Sequence, residues 1–147
     1  MEIAILGLGC FWGPEIKFSK LNGVIKTEVG YCGGNNKETT YKEVCTGKTN
    51  HAEVVKLDFD PKIISYNKIL EFFFEIHDPT TLNSQGPDFG TQYRSEIFYL
   101  NDNQKVIAES IKEKINQKLN NKVVTNISLV KNYCTAEEYH QRYLEKR

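Results

Sequence analysis

One short stretch constrains this chain more than any other: Gly9-Cys10-Phe11-Trp12-Gly13, followed at once by Pro14-Glu15. An apolar run, Ile3 to Leu8, leads into it, and a helix-like run, Glu15 to Lys20, leads out. Pro14 suits the first turn of a helix, where its missing N–H is not needed and its fixed φ is already helical. Cys10 therefore closes a strand just ahead of a helix N-terminus. Unpaired N–H groups and the helix dipole favour a thiolate there. The flanking glycines relax the turn and let backbone approach a ligand. Phe11 and Trp12 are either core anchors or the lining of a small apolar pocket beside the sulfur. A lone cysteine is commonly a buried small hydrophobe; the strand–turn–helix setting favours a reactive one.

The 147 residues suit one domain, residues 1–147, burying about two-thirds of the unfolded surface. Lys+Arg and Asp+Glu both number 19, so neither nucleic acid nor a membrane is an expected partner. Met1-Glu2-Ile3-Ala4 has no basic leader character, and no apolar run nears the ~20 residues of a membrane span. A cytoplasmic location is expected, and a monomer. Cys10, Cys32, Cys45 and Cys134 include no C-x-x-C pair, so each reads as buried or catalytic rather than disulfide-bonded. Their spacing from His51, His77 and His140 fits zinc poorly, and no metal is expected.

Ile3 to Leu8 is apolar on both faces and reads as a central strand. In Val24 to Val29, Ile25, Thr27 and Val29 alternate with Lys26 and Glu28, a half-exposed strand. Gly30 to Asn36 reads as a loop, and Tyr41 to Val44 as one helical turn. In the strand Glu53 to Phe59, Val55, Leu57 and Phe59 share a face that period two extends to Glu53. Glu53 is then desolvated and protonated; the alternative is that it precedes the strand and reaches solvent. Ser65 caps a deeply packed helix carrying Tyr66, Ile69, Leu70 and Phe73. Residues 78–93 form a long stretch without apolar periodicity, expected to be ordered and functional. Arg94 to Leu100 is a strand. Asn101 and Gln104 resemble a capping pair for a helix to about Leu119. Thr125 to Val130 is a last strand and Ala136 to Lys146 a last helix. The alternation predicts an α/β two-layer sandwich with a mixed sheet.

With Cys10 as nucleophile, the candidate proton donors on loops or strand starts are Glu53, Tyr41, Tyr93 and Asp88. No Cys-His-Asn order is obvious, although His51 with Asp88 could imitate one. A protonated Glu beside two phenols suits an oxygen atom that leaves as water, and Phe11 and Trp12 suit a methyl group.

The chain resembles the type A peptide-methionine (S)-S-oxide reductases. The resemblance runs in order through Gly9 to Gly13, Gly30-Tyr31-Cys32-Gly33-Gly34, Thr40 to Cys45, His51-Ala52-Glu53, His77-Asp78-Pro79, Asp88 to Ser95, and Ala136 to Gln141. It implies a catalytic domain with a ferredoxin-like core and no bound cofactor. It implies that Cys10 attacks the sulfoxide sulfur and Glu53 protonates the oxygen. Tyr41 and Tyr93 would hydrogen-bond that oxygen, Asp88 would position the polar side, and Phe11 and Trp12 would cage the methyl. The substrate would be methionine-S-sulfoxide, free or in oxidised proteins, and Cys10 would be left as a sulfenic acid. Many members recycle through cysteines in a Gly-rich tail, which these residues do not contain. Recycling is expected from Cys32, in its Gly-rich loop, then from Cys134, or by direct attack of thioredoxin, glutaredoxin or glutathione; Cys45 reads as structural. A thiol redox sensor and a cysteine hydrolase using His51 or His140 are the rival readings.

Overall fold

Alternation along the first strands decides the architecture. In a computed structural model, which describes residues 1–146, β1 (Glu2–Leu8), β2 (Val24–Cys32) and β3 (Ala52–Phe59) are consecutive in the sheet as β1-β3-β2. Ala4, Leu6 and Leu8 of β1 and Val55, Leu57 and Phe59 of β3 point to one face and enter the main core. Ile5, Cys32, Ala52 and Val54 point to the other and form a smaller cluster with Phe98.

The main core is closed by α1 (Trp12–Ser19), α3 (Tyr66–Glu75) and α4 (Asp102–Lys118), through Phe18, then Ile69, Leu70 and Phe73, then Ala108 and Ile111. The predicted caps are present. Ser65 Oγ accepts from the Lys68 N–H at 3.1 Å, and Asn101 Oδ1 from the Gln104 N–H at 2.9 Å. Thr40 does the same for the one-turn α2 (Tyr41–Cys45), its Oγ1 accepting from the Glu43 N–H at 3.2 Å.

Residues 78–93 are ordered as expected. They hold a small hairpin, β4 (Ser84–Gln85) with β5 (Asp88–Phe89), and a 3₁₀ turn at Thr91–Tyr93. Then come β6 (Ser95–Tyr99), β7 (Asn126–Leu129) and β8 (Cys134–Thr135). The full sheet order is β7-β6-β1-β3-β2-β8, antiparallel except for β6 with β7. Within it, β1-α1-β2-β3-α3-β6 is the β-α-β-β-α-β split unit of a ferredoxin-like core. It is the α/β fold with a mixed sheet that the alternation predicts.

Three local readings need correction. Ile25 does not share a buried face with Val29: a bulge between Val24 and Lys26 shifts the register, and Ile25 is exposed. Strand β2 runs on through Cys32, so Tyr31 and Cys32 belong to the sheet and not to a loop. The stretch from Ala136 is not a helix; it holds only a 3₁₀ turn at Glu138–His140 followed by turns. Side chains pin it instead. Gln141 Oε1 accepts from the Val29 N–H at 2.9 Å, and its Nε2 donates to the Val29 and Ala136 carbonyls at 2.9 and 3.0 Å. Glu15 Oε1 accepts from the Arg142 N–H at 2.7 Å.

None of the described helices is long and apolar enough to cross a membrane. Gln141→Ala strands the Val29 N–H in a buried place. It should lower the unfolding free energy by about 1–3 kcal/mol, read as a lower denaturant midpoint at unchanged m-value.

Candidate active site

The site is built where β1 turns into α1. Gly9 makes that turn at φ 98°, and a Cβ there would lie 2.8 Å from Gln85 Cγ, so only glycine lets residues 78–93 close against it. Phe11 is the N-cap of α1 but caps it with no side chain. Its own N–H donates instead to Glu53 Oε1 at 3.2 Å. That bond ties the strand–helix turn to β3.

Glu53 is 1% exposed, on the core face of β3 opposite Tyr31 of β2. Of its two sequence readings, the desolvated one describes the structure. Burial raises its pKa to about 8, opposed by the Phe11 N–H and reinforced by the charge of Asp88. At neutral pH it holds a proton. Its other oxygen, Oε2, is buried and has no hydrogen-bond partner among the described residues.

Cys10 is half-buried, and the expected thiolate is not what the site favours. Burial pushes the thiol up to about 11 and outweighs the Trp12 N–H bonded to the sulfur; the charges of Glu53, Asp88 and Cys45 add to the rise. The helix N-terminus does act, through that Trp12 N–H, but desolvation is larger. Tyr93 is raised to about 12, chiefly by burial and then by Glu53. Tyr41 is raised further by burial and by a hydrogen bond with Cys45. Both phenols are therefore donors at neutral pH. Tyr93 ends the 78–93 segment just before β6, and Asp88 lies on β5; the charge of Asp88 raises Glu53, and that of Glu53 raises Tyr93.

An aromatic wall stands on the other side. His140 is buried with its ring 5.2 Å from Phe11, 4.5 Å from Tyr41 and 4.2 Å from Tyr139. The Trp12 indole N–H donates to His140 Nδ1 at 3.0 Å, and the indole stacks on Tyr143 at 3.8 Å. Accepting at Nδ1 fixes the neutral Nε2–H tautomer, in line with burial lowering the His140 pKa. Phe11 is thus a core residue with one face on the site, and Trp12 is a half-buried plate held edge-on by His140. Glu137 joins these parts: its Oε1 accepts from the Tyr31 hydroxyl at 2.7 Å and its Oε2 from the Tyr41 N–H at 2.9 Å.

The fold therefore brings Cys10, Phe11, Trp12, Tyr41, Glu53, Asp88 and Tyr93 around one location. Cys32 stands apart. It is fully buried on the opposite face of the sheet, its thiol bonded to the Lys131 carbonyl at 3.3 Å. The loop accessibility expected of it is absent. Cys134 is on the edge strand β8, 3.8 Å from the Thr39 carbonyl. His51 faces the Asn36 carbonyl at 2.9 Å through Nε2, and His77 bridges the Phe73 carbonyl and Ser95 Oγ at 2.5 and 2.7 Å. With His140 committed to Trp12, none of these imidazoles is engaged with Cys10 as a hydrolase base would be. Among the described residues no group of three or more His, Cys, Asp or Glu could hold a metal ion.

Sequence reasoning named His140 for catalysis only as a rival hydrolase base, left Glu137 unremarked and read Cys45 as structural. Reading residues 136–146 as a covering helix hid the first two. Cys45 was legible from its place four residues after Tyr41 on a helical turn, which puts both on one face.

A family model described as peptide methionine sulfoxide reductase matches residues 2–147. The peptide methionine sulfoxide reductase MsrA of Pelagibacter ubique is 83% identical over 147 residues, which is 100% of each chain. Among solved structures, the reduced form of Mxr1 from Saccharomyces cerevisiae matches with a TM-score of 0.95 at 44% identity, over 99% of this chain and 85% of that one. Mxr1 in complex with Trx2 matches with a TM-score of 0.70 at 30% identity, over 97% of this chain and 84% of that one.

The buried carboxyl makes a prediction about stability that does not depend on activity. Between the unfolded pKa near 4.5 and the folded value of about 8, the native state binds more protons at Glu53 than the unfolded chain does. The contribution of this group therefore falls as pH rises through that window and levels off above it. Glu53→Gln should stabilise the protein relative to wild type, with a gain that grows from pH 4.5 to 8 and vanishes below it. Parallel denaturant titrations across pH check this.

Proposed function

Because the chain belongs to the peptide methionine sulfoxide reductase family, we propose that it reduces methionine-S-sulfoxide to methionine through Cys10. The observation that carries the reading is the protonated Glu53, with an unbonded Oε2, beside the thiol. The substrate's methyl lies against Phe11 and Trp12. Its oxygen takes the free position at Glu53 Oε2 and accepts from Tyr41 and Tyr93, with Asp88 on the polar side.

The Cys10 sulfur attacks the sulfoxide sulfur while Glu53 passes its proton to the oxygen. The S–S bond so formed then breaks as the hydroxyl passes from the substrate sulfur to the Cys10 sulfur, which leaves a sulfenic acid on Cys10 and releases methionine with its sulfur reduced. The proton released by the thiol restores the Glu53 carboxyl, so the half-reaction is proton-neutral. The sulfenic acid is the reversible first rung of thiol oxidation. A thioredoxin-type dithiol completes the cycle, with glutaredoxin or glutathione as other thiol sources; the complex of the yeast relative with Trx2 supports the first. The reading takes residues 1–147 as one catalytic domain, supported by the span of the family match. Chemistry that starts from a reduced thiol suits the cytoplasm.

The test supplies dithiothreitol and the S or R epimer of N-acetylmethionine sulfoxide in separate reactions. Turnover of S alone is expected; turnover of neither, or of R, sinks the reading. Glu53→Gln should slow the single-turnover rate by about 10²–10⁴-fold. The wild-type rate should fall as pH rises through about 8, where the acid is lost, and the variant should lack that limb.

A further inference from the structure

The cysteine read as structural is the one closest in chemistry to the site. Cys45 is exposed and is the last residue of α2. It shares a helix face with Tyr41, one turn earlier, and the Tyr41 hydroxyl and the Cys45 thiol are hydrogen-bonded. Tyr41 faces the site, its ring 4.5 Å from that of His140, which lies 5.2 Å from Phe11, the neighbour of Cys10. The face of α2 that carries Cys45 is therefore the face turned to the aromatic wall of the site. The charge of Cys45 is felt at Cys10, Tyr41 and Tyr93. Cys32 shows none of these relations: it lies across the sheet, with Arg94 and Glu96 as its charged neighbours.

We propose that Cys45 is the second redox thiol of this site, condensing with the sulfenic acid formed on Cys10. The inference rests on the reaction proposed above. The Cys45 sulfur attacks the Cys10 sulfur, the S–O bond breaks, and the hydroxyl leaves as water with the proton of the Cys45 thiol. One sulfenic acid and one thiol become one disulfide and one water, with no outside oxidant. An external dithiol then reduces the disulfide by exchange.

Condensation needs Cys45 to close on Cys10. A disulfide requires Cα atoms within ~4.4–6.8 Å and correctly aimed Cβ atoms. Helix α2 is one turn long and buries only Val44, so little packing opposes an inward shift of its last residue. Gly47 follows at φ 77°, with open space around it. Burial holds the Cys45 thiol above its ordinary pKa, and the Tyr41 hydrogen bond offsets part of that rise.

The test is one turnover of the full chain with excess N-acetylmethionine-S-sulfoxide and no reductant. Methionine is counted, and the alkylated protein is mapped. Lys17, Lys42 and Lys48 put Cys10 and Cys45 in separate tryptic peptides. The expected result is one methionine per chain, loss of two of the four thiols, and a Cys10–Cys45 linked peptide as the main oxidised species. In Cys45→Ser the dimedone adduct of Cys10 should become the main species instead. A wild-type chain that releases one methionine but keeps a Cys10 sulfenate, or links Cys10 to Cys32 or Cys134, overturns the inference. No methionine from the wild type overturns the underlying reaction instead, because Cys45 is engaged only after it.

Discussion

The buried carboxyl of Glu53 is the constraint on which the rest of the site depends. Period two along β3 puts Glu53 on the same face as Val55, Leu57 and Phe59, all fully buried. The strand cannot keep those three inside and turn Glu53 out without a slip that would reverse every side chain. The carboxyl is therefore carried into an apolar layer, where its charged form is disfavoured. One oxygen is used at once, as acceptor for the Phe11 N–H that α1 leaves uncapped. The other has no hydrogen-bond partner among the described residues. A fold that must hide a carboxyl obtains a proton donor at neutral pH and a tether for the catalytic turn from the same residue.

The other wall is held by polar side chains in place of regular structure. Residues 136–146 make almost no ladder or helix hydrogen bonds, yet they set His140 among four aromatic rings. Buried backbone groups need partners wherever a segment is irregular. Gln141 supplies them for Val29, Glu137 for Tyr41 and Glu15 for Arg142. These three fixings place His140 where its Nδ1 can take the Trp12 indole N–H. The orientation of the Trp12 plate is thus set by residues more than a hundred positions away in sequence.

Local patterns were enough for most of the fold and half of the site. The strand–turn–helix around Cys10, the caps at Ser65 and Asn101, and the strand alternation through Glu53 each obey a rule that acts over a few residues. What escaped depends on contacts between distant segments. The bulge that exposes Ile25 is a property of the pairing of β2 with β3. The C-terminal segment has the composition of a helix, but Gln141 and Glu137 satisfy backbone elsewhere and so dissolve it. Cys32 sits between glycines that look like a loop, yet the strand continues because Tyr31 and Cys32 pair with Glu53 and Ala52. Its burial follows from parity: if Tyr31 faces the site, its neighbour must face away.

The protonation states explain why the nucleophile is a reluctant one. With burial raising Cys10 to about 11 and Glu53 to about 8, the free site favours both protons at pH 7 and little of the sulfur is thiolate. A thiolate beside an ionised Glu53 would be two like charges in a desolvated place. In the proposed reaction, activation then falls on the substrate. A sulfoxide whose oxygen is taking a proton from Glu53 becomes a stronger electrophile at sulfur, and the thiol ionises as that proton moves. Such stabilisation exists in the transition state and not in the resting site, which is the kind that raises rate. It also bears on survival under oxidants. Oxidants react with the thiolate rather than the thiol, so a cysteine whose burial favours the neutral thiol is less open to them.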